Sequence, residues 1–427
     1  MTALVAILNN QAVALAADSA VTTPGPDGEG YKIYSTNKLF TLSKYHPVGI
    51  MVYSSAEVMT LPVETVIKVY RSRLGEKSFP TLEAYCESFE QFLLTDEVVF
   101  PQDARLAQAS SVVQAVLVRL ANDIMSRALG EHPGWGRPTA REVRESAKAV
   151  FSECCDRFEA SPELPGSGPT VRRAIASELK EMSREFTLRF NAMYGLPLRD
   201  LKRLKELCIN IIVTSETTGV FTGFAIAGYG HEEYVPQLKS FELELSVLGI
   251  HKVRNGPSHD VRADGAGIVP FAQMDMVQTF VEGKAREYDF ALHSAIDEFF
   301  VGCKNAILND PSQSANVVAA CQAYDDHNAQ LHAHVDDRLK TFAWNKYIGP
   351  ILSNIQSMPK EELALMAEAL INLTAMKRHA ASAAETVAGP TDVAIISKGD
   401  GFIWKQRKHY FSPDLNLGFR SNYFRGE

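Results

Sequence analysis

Three residues near the start of the chain could do chemistry together. Thr2 carries a hydroxyl, and once Met1 is removed it also carries a free α-amine, whose ordinary pKa of about 7.7 to 8 suits a general base near neutral pH. A hydroxyl activated by its own amine can attack an acyl carbon, and a well-placed base is worth roughly 100- to 10,000-fold in rate. Asp18 ends the run AVALAAD, and Lys38 opens the run KLFTL. A lysine beside Thr2 lowers the pKa of both hydroxyl and amine through its positive charge, and an aspartate holds that lysine in place.

Two hairpins must position these groups. The apolar runs Ala3 to Leu8 and Ala12 to Ala17 flank Asn9, Asn10 and Gln11, a turn signal between two strands. A turn centred on Asn10 predicts that Thr2 faces Asp18 across the ladder, with Cβ atoms roughly 5 Å apart. The second hairpin joins NKLFTLS to GIMVYSS through KYHP. It places Lys38 at a strand end, opposite Tyr53, on the same face as Phe40 and Leu42. Burial of an ammonium among such groups demands a carboxylate partner, and Asp18 is suitable. Val21, Thr22, Phe40, Met51 and Met59 are the side chains expected to border a substrate, although each also suits a core.

Composition narrows the function classes. The 427 residues are 46% hydrophobic, enough for a sizeable core. A net charge of -8, from 43 Lys+Arg against 51 Asp+Glu, argues against nucleic acid as a partner. The six cysteines form no CxxC pair and predict reduced thiols in a cytoplasmic setting. No lysine or arginine precedes Lys32, so the start lacks the basic region of a secretory signal, and no apolar stretch is long enough to predict a membrane span. His46 and the run HAHVDD at His332 to Asp337 lack a second ligand cluster of recognisable spacing. Neither a metal nor a cofactor is expected.

The pattern along the chain predicts strands, helices, strands, helices, strands: an α+β layout with helical insertions and no internal repeat. The strand-rich start spans 1–74, ending in a helix from Glu57 to about Leu74. Helical spacing dominates 75–206. Strands are expected over 207–273, in LCINIIVTS, FTGFAIAGYG and QLKSFELEL, leading to the loop RADGAGIVPFAQ. A second helical insertion follows over 274–360. The last part, 361–427, reads as the helix EELALMAEALINLTAMKRH and the hairpin DVAIISKGDGFIWKQ.

These residues resemble the N-terminal nucleophile hydrolases, and within them the proteasome β-subunits and HslV peptidase. The likeness rests on Thr2, on AADSAVT with Asp18, on NKLF with Lys38, on GIMVYSSAE, on IAGYGHEEYVPQL, and on EELALMAEALINLT followed by ETVAGPTDVAIISKGDGF. It implies a four-layer αββα sandwich and a threonine-type hydrolase cleaving peptide or amide bonds through an acyl-enzyme. It further implies an oxyanion hole from a backbone N–H of Tyr53 or Ser54, Glu385 in support of the amine, and self-assembly, with any ATPase partner unspecified. Where that family has glycine at the oxyanion segment and a later supporting serine, this chain has Tyr53 or Ser54 and Ala388. Two alternatives therefore stand beside the peptidase: a small-molecule amidase with a closed pocket, and an inactive scaffold or assembly protein.

Overall fold

The computed structural model describes residues 2–24, 31–130, 137–195, 197–308, 330–380, 389–409, 411 and 416, with the side chains of 21–24, 31–34, 198, 303 and 306–308 excepted. Its strands are β1 Ala3–Leu8, β2 Ala12–Ala17, β3 Ala20–Pro24, β4 Tyr31–Ser35, β5 Leu39–Thr41, β6 Val48–Ser54, β7 Glu57–Val58, β8 Leu61–Pro62, β9 Thr222–Gly228, β10 Gln237–Val247, β11 Ile250–Asn255, β12 His259–Asp260, β13 Gly267–Ala272, β14 Asp392–Ser397 and β15 Gly401–Gln406. The chain forms two compact units: Met1–Leu39 with Tyr234–Gln237 and His259–Glu427, and Phe40–Glu233 with Leu238–Ser258.

The first unit is built on a sheet of order β13-β1-β2-β14-β15. The pairings of β1 with β2 and β13, and of β14 with β2 and β15, are all antiparallel. Strands β1 and β2 are buried at every position, which is why their sequences are continuous apolar runs rather than alternating ones. Val5, Ile7, Ala14, Ala16, Val393 and Ile395 share one core with Leu363, Ala364, Ala367, Leu370 and Ile371 of the helix Lys360–Ala380. Alanines on β2 leave room for the helix to approach the sheet. Each larger apolar side chain buried there contributes about 1.5 to 3 kcal/mol. Glu361 and Glu362 in the first turn of that helix, and Lys377, Arg378 and His379 in its last, complement its dipole.

The turn between β1 and β2 fixes the register. Asn9 Oδ1 accepts the backbone N–H groups of Gln11 at 2.9 Å and Ala12 at 3.2 Å, while Asn9 N–H donates to Ala12 O at 3.1 Å. The loop is therefore Asn10-Gln11, and Leu4 pairs with Ala17. This shifts the expected register by one residue: Ala3 rather than Thr2 meets Asp18, with Asp18 N–H donating to Ala3 O at 3.1 Å. Asn9 Nδ2 also donates to Ile355 O and Met358 O, each at 2.8 Å, tying the turn to the end of the helix Gly349–Ser357.

The second unit carries a sheet of order β11-β10-β9-β6-β5. Ile50, Val52, Phe224, Ile226 and Phe241 of that sheet pack with Val66, Ile67 and Tyr70 of the helix Val63–Leu74 and with Tyr85 and Phe89 of the helix Leu82–Thr95. A separate core joins the helices Gln102–Gly130, Ala140–Ala160, Pro169–Glu178, Lys180–Tyr194 and Leu198–Val213 to Leu245, Val247 and Ile250. In the first of these helices Ala109, Val112, Val113, Val116, Leu120 and Ile124 recur at helical intervals.

Three sequence expectations change. LCINIIV is the end of the helix Leu198–Val213, so the strands expected from residue 207 begin at Thr222. A short unbroken apolar run does not distinguish buried helix from buried strand, and here Leu204, Leu207, Cys208, Ile211 and Ile212 form one buried stripe. RADGAGIVPFAQ is not only a loop: its second half is β13, paired with β1. Glu57 to Pro62 forms the small hairpin β7-β8, and the helix starts at Val63. The mixed α+β class with antiparallel sheets holds for each unit.

Replacing Asn9 with alanine removes the oxygen that accepts both turn N–H groups and the nitrogen that donates twice to the helix end, and is expected to lower stability by about 1 to 3 kcal/mol. Urea unfolding of Asn9→Ala against the parent measures it. An unchanged midpoint would mean that the turn does not hold the register.

Candidate functional site

Strand ends of the first unit converge on Asp18. Its Oδ1 accepts the N–H of Ala3 at 2.9 Å and Lys38 Nζ at 2.7 Å, and its Oδ2 accepts the N–H of Ala20 at 3.2 Å. Lys38 Nζ also donates to Ala20 O at 2.6 Å. Both side chains are nearly shut off from solvent, Lys38 at 5% and Asp18 at 2% exposure. Burial pushes the Asp18 carboxyl above its ordinary pKa and the Lys38 ammonium below its own, and the attraction between the two partly offsets each shift. The charge of Lys408 lowers Lys38 further.

Thr2 lies one residue before the amide that Asp18 holds. It is buried, and its carbonyl accepts the N–H of Gln273 at 3.0 Å. Ala272, opposite Ala3, takes the left-handed conformation with φ 61° at that end of the sheet. The Thr2 backbone is thus held between β2 and β13, while Lys38 reaches the same carboxylate from the segment before β5.

Beside this pair stands a second buried cluster that sequence reasoning missed. Lys408 Nζ donates to Ser19 Oγ at 2.6 Å, Thr36 O at 2.6 Å and Asp392 Oδ2 at 3.1 Å. Asp392 Oδ1 accepts the N–H of Lys408 at 2.8 Å, and Ser19 Oγ donates to Pro390 O. The available signal was positional: Asp392 opens β14, and Lys408 follows the end of its partner β15. An acid and a base at the matching ends of a hairpin meet.

Other expected site residues fall elsewhere. Tyr53 and Ser54 belong to the second unit, and the cluster within the first unit does not include them. The Tyr53 ring covers Gly223, where an added Cβ would meet it at 2.3 Å, and its hydroxyl donates to Glu242 Oε1 at 3.2 Å. Burial raises the pKa of that hydroxyl. Ser54 is exposed, with φ 72°. Phe40 and Met59 are part of the second unit's core, and Met51 is fully buried in β6. Val21 and Thr22 form part of β3, with side chains outside the described residues. Glu385 also lies outside the described residues.

The histidines have local roles. His332 stacks on His293 with ring centroids 4.5 Å apart. Asp297 accepts His332 Nε2 and Asp336 accepts His293 Nε2, each at 2.9 Å. His46 Nε2 meets Glu76 O at 3.0 Å. Among the described residues no group of three or more His, Cys, Asp or Glu side chains is arranged to hold a metal ion, and no helix is long and apolar enough to cross a membrane.

No family model and no curated protein matches the chain. Among solved structures, the Anbu (Gly-1) mutant from Hyphomicrobium sp. strain MC1 aligns at 11% identity and a TM-score of 0.28, over 100% of this chain and 98% of that one. Anbu (ancestral beta-subunit) from Yersinia bercovieri aligns at 9% identity and a TM-score of 0.30, over 98% and 94%. Superpositions this loose carry no argument about fold or activity. The resemblance to proteasome β-subunits and HslV is corrected: no family model supports it.

Removing one member of the buried pair strands the other charge, at a cost of about 3 to 5 kcal/mol. Lys38→Met is expected to lose that much in urea unfolding. Lys38→Met combined with Asp18→Asn should lose clearly less, because the asparagine still accepts a backbone N–H without a charge. Equal losses would show that the two side chains are not coupled.

Proposed function

We propose that the chain is a threonine-type amidohydrolase acting on peptide or small amide substrates through an acyl-enzyme. The observation that supports it most directly is the chain of contacts from Lys38 through Asp18 to the amide of Ala3, directly after Thr2. Among the described residues, only two of the three Lys38 N–H groups have acceptors, Asp18 Oδ1 and Ala20 O. The third is directed, in this reading, to the Thr2 hydroxyl or amine.

In this reading Met1 is first removed. Thr2 Oγ attacks the substrate carbonyl carbon, and its proton passes to the neutral α-amine. The resulting ammonium protonates the leaving amine, and the C–N bond breaks to leave an ester on Thr2. Water then attacks the ester, giving a proton to the amine, which returns one to Oγ as the ester bond breaks. The Lys38 ammonium lowers the pKa of the hydroxyl and amine, and Asp18 holds the lysine and the backbone that carries Thr2.

A β-lactone probe followed by intact-mass measurement is expected to give one adduct on a chain lacking Met1. Thr2→Ala should abolish the adduct and Thr2→Ser should keep it; undiminished labelling of Thr2→Ala would sink the reading. Absence of any adduct on the wild type, with Met1 gone, would favour the inactive scaffold.

Labelling should also depend on pH in two ways. It should fall as pH drops through the α-amine pKa, because the base becomes protonated. It should fall again on the alkaline side as Lys38 loses its proton. Burial and Lys408 hold Lys38 below the ordinary 10.5, so the alkaline limb comes at lower pH than an unperturbed lysine would give.

A further inference from the structure

We infer that Lys408 is a positioning residue of the Thr2 site, fastening the segments that carry Asp18 and Lys38 to the start of β14; the inference rests on the proposed role of Thr2. Lys408, half-buried, and Lys38, buried, are bonded differently. All three N–H groups of Lys408 have acceptors: Ser19 Oγ, Thr36 O and Asp392 Oδ2. Lys38 has two acceptors among the described residues. Lys408 therefore has no donor left for a substrate, whereas Lys38 does.

The acceptors of Lys408 are chosen by position. Ser19 directly follows Asp18, and Thr36 precedes Lys38 by two residues. Thr36 N–H donates to Ser19 O at 2.9 Å, so the same two segments are also joined by backbone. The Ser19 hydroxyl donates its O–H to Pro390 O, and Asp392 holds Lys408 through both carboxylate oxygens. One ammonium thus links three stretches of chain that are far apart in sequence. With side chains of 13% and 2% exposure, the Lys408–Asp392 pair is poorly screened by solvent.

Charge gives Lys408 a second effect. Among the described residues, the charges that act on Lys38 are Asp18, which favours its protonated form, and Lys408, which disfavours it. Asp392 Oδ2 accepts Lys408 Nζ at 3.1 Å, so an opposite charge lies against Lys408. A purely mechanical strut would leave the titration of Lys38 where it is; on this inference the charge of Lys408 shifts it.

The test follows Lys38 itself by NMR of the full-length protein carrying 13C-labelled lysine, with the signal assigned by its loss in Lys38→Arg. Lys408→Met and Lys408→Gln remove the charge, and Lys408→Arg keeps it. Thermal melts show which variants fold, and two charge-removing variants are used so that one remains if the other does not. The Lys38 titration should move to higher pH in Lys408→Met or Lys408→Gln and stay near the wild-type position in Lys408→Arg.

An unmoved titration in folded Lys408→Met or Lys408→Gln overturns the inference, even if those variants melt lower. β-Lactone labelling of the same variants reads the proposed chemistry separately. It should be slower in the charge-removing variants and restored in Lys408→Arg. Loss of wild-type labelling would defeat the Thr2 reading, while the NMR result would still decide whether Lys408 acts on Lys38.

Discussion

The first unit depends on a buried ion pair that must satisfy all its neighbours at once. Taking Asp18 and Lys38 out of water costs several kcal/mol for each charge. That cost is offset only if the remaining hydrogen-bonding groups are met. Asp18 meets it with two backbone amides, from Ala3 and Ala20, in addition to the lysine. Lys38 adds the carbonyl of Ala20. The start of β1, the end of β2, the start of β3 and the segment before β5 are consequently fixed relative to one carboxylate.

This arrangement needs a rigid sheet behind it, because a slip of one residue would exchange the faces of β1. Asn9 prevents that slip at the far end of the hairpin. Its side chain closes the two-residue loop with one oxygen and grips the end of the helix Gly349–Ser357 with its nitrogen. Between the two ends, the helix Lys360–Ala380 packs on the small alanines of β2. Register at the turn thus decides which backbone amide the carboxylate holds.

Much of this was legible from the residues. The hairpin of ALVAIL and AVALAA, the helix after Pro359 and the final hairpin all follow from periodicity and turn chemistry. The meeting of Asp18 with Lys38 followed from the expense of burying a lone ammonium. The register did not follow, because a three-residue polar turn admits two alignments, and only the Asn9 hydrogen bonds choose between them. LCINIIV misled because its apolar run matches a buried strand as well as a buried helix stripe. Asp392 and Lys408 went unseen because their partners Ser19 and Thr36 lie hundreds of positions away. Only β14 lying beside β2 brings them together.

The two lysines show how bonding capacity separates support from chemistry. An ammonium offers three donors, and burial penalises any that find no acceptor. Lys408 has filled all three from the protein, so its contribution is fixed in the folded chain. Lys38 has filled two, with the third uncommitted among the described residues beside the segment that begins at Thr2. Both charges carry a burial cost. Lys408 joins three segments; in the proposed reading Lys38 also keeps a donor for the Thr2 hydroxyl and amine. In the proposed reading, removal of Met1 supplies an acceptor for that third donor.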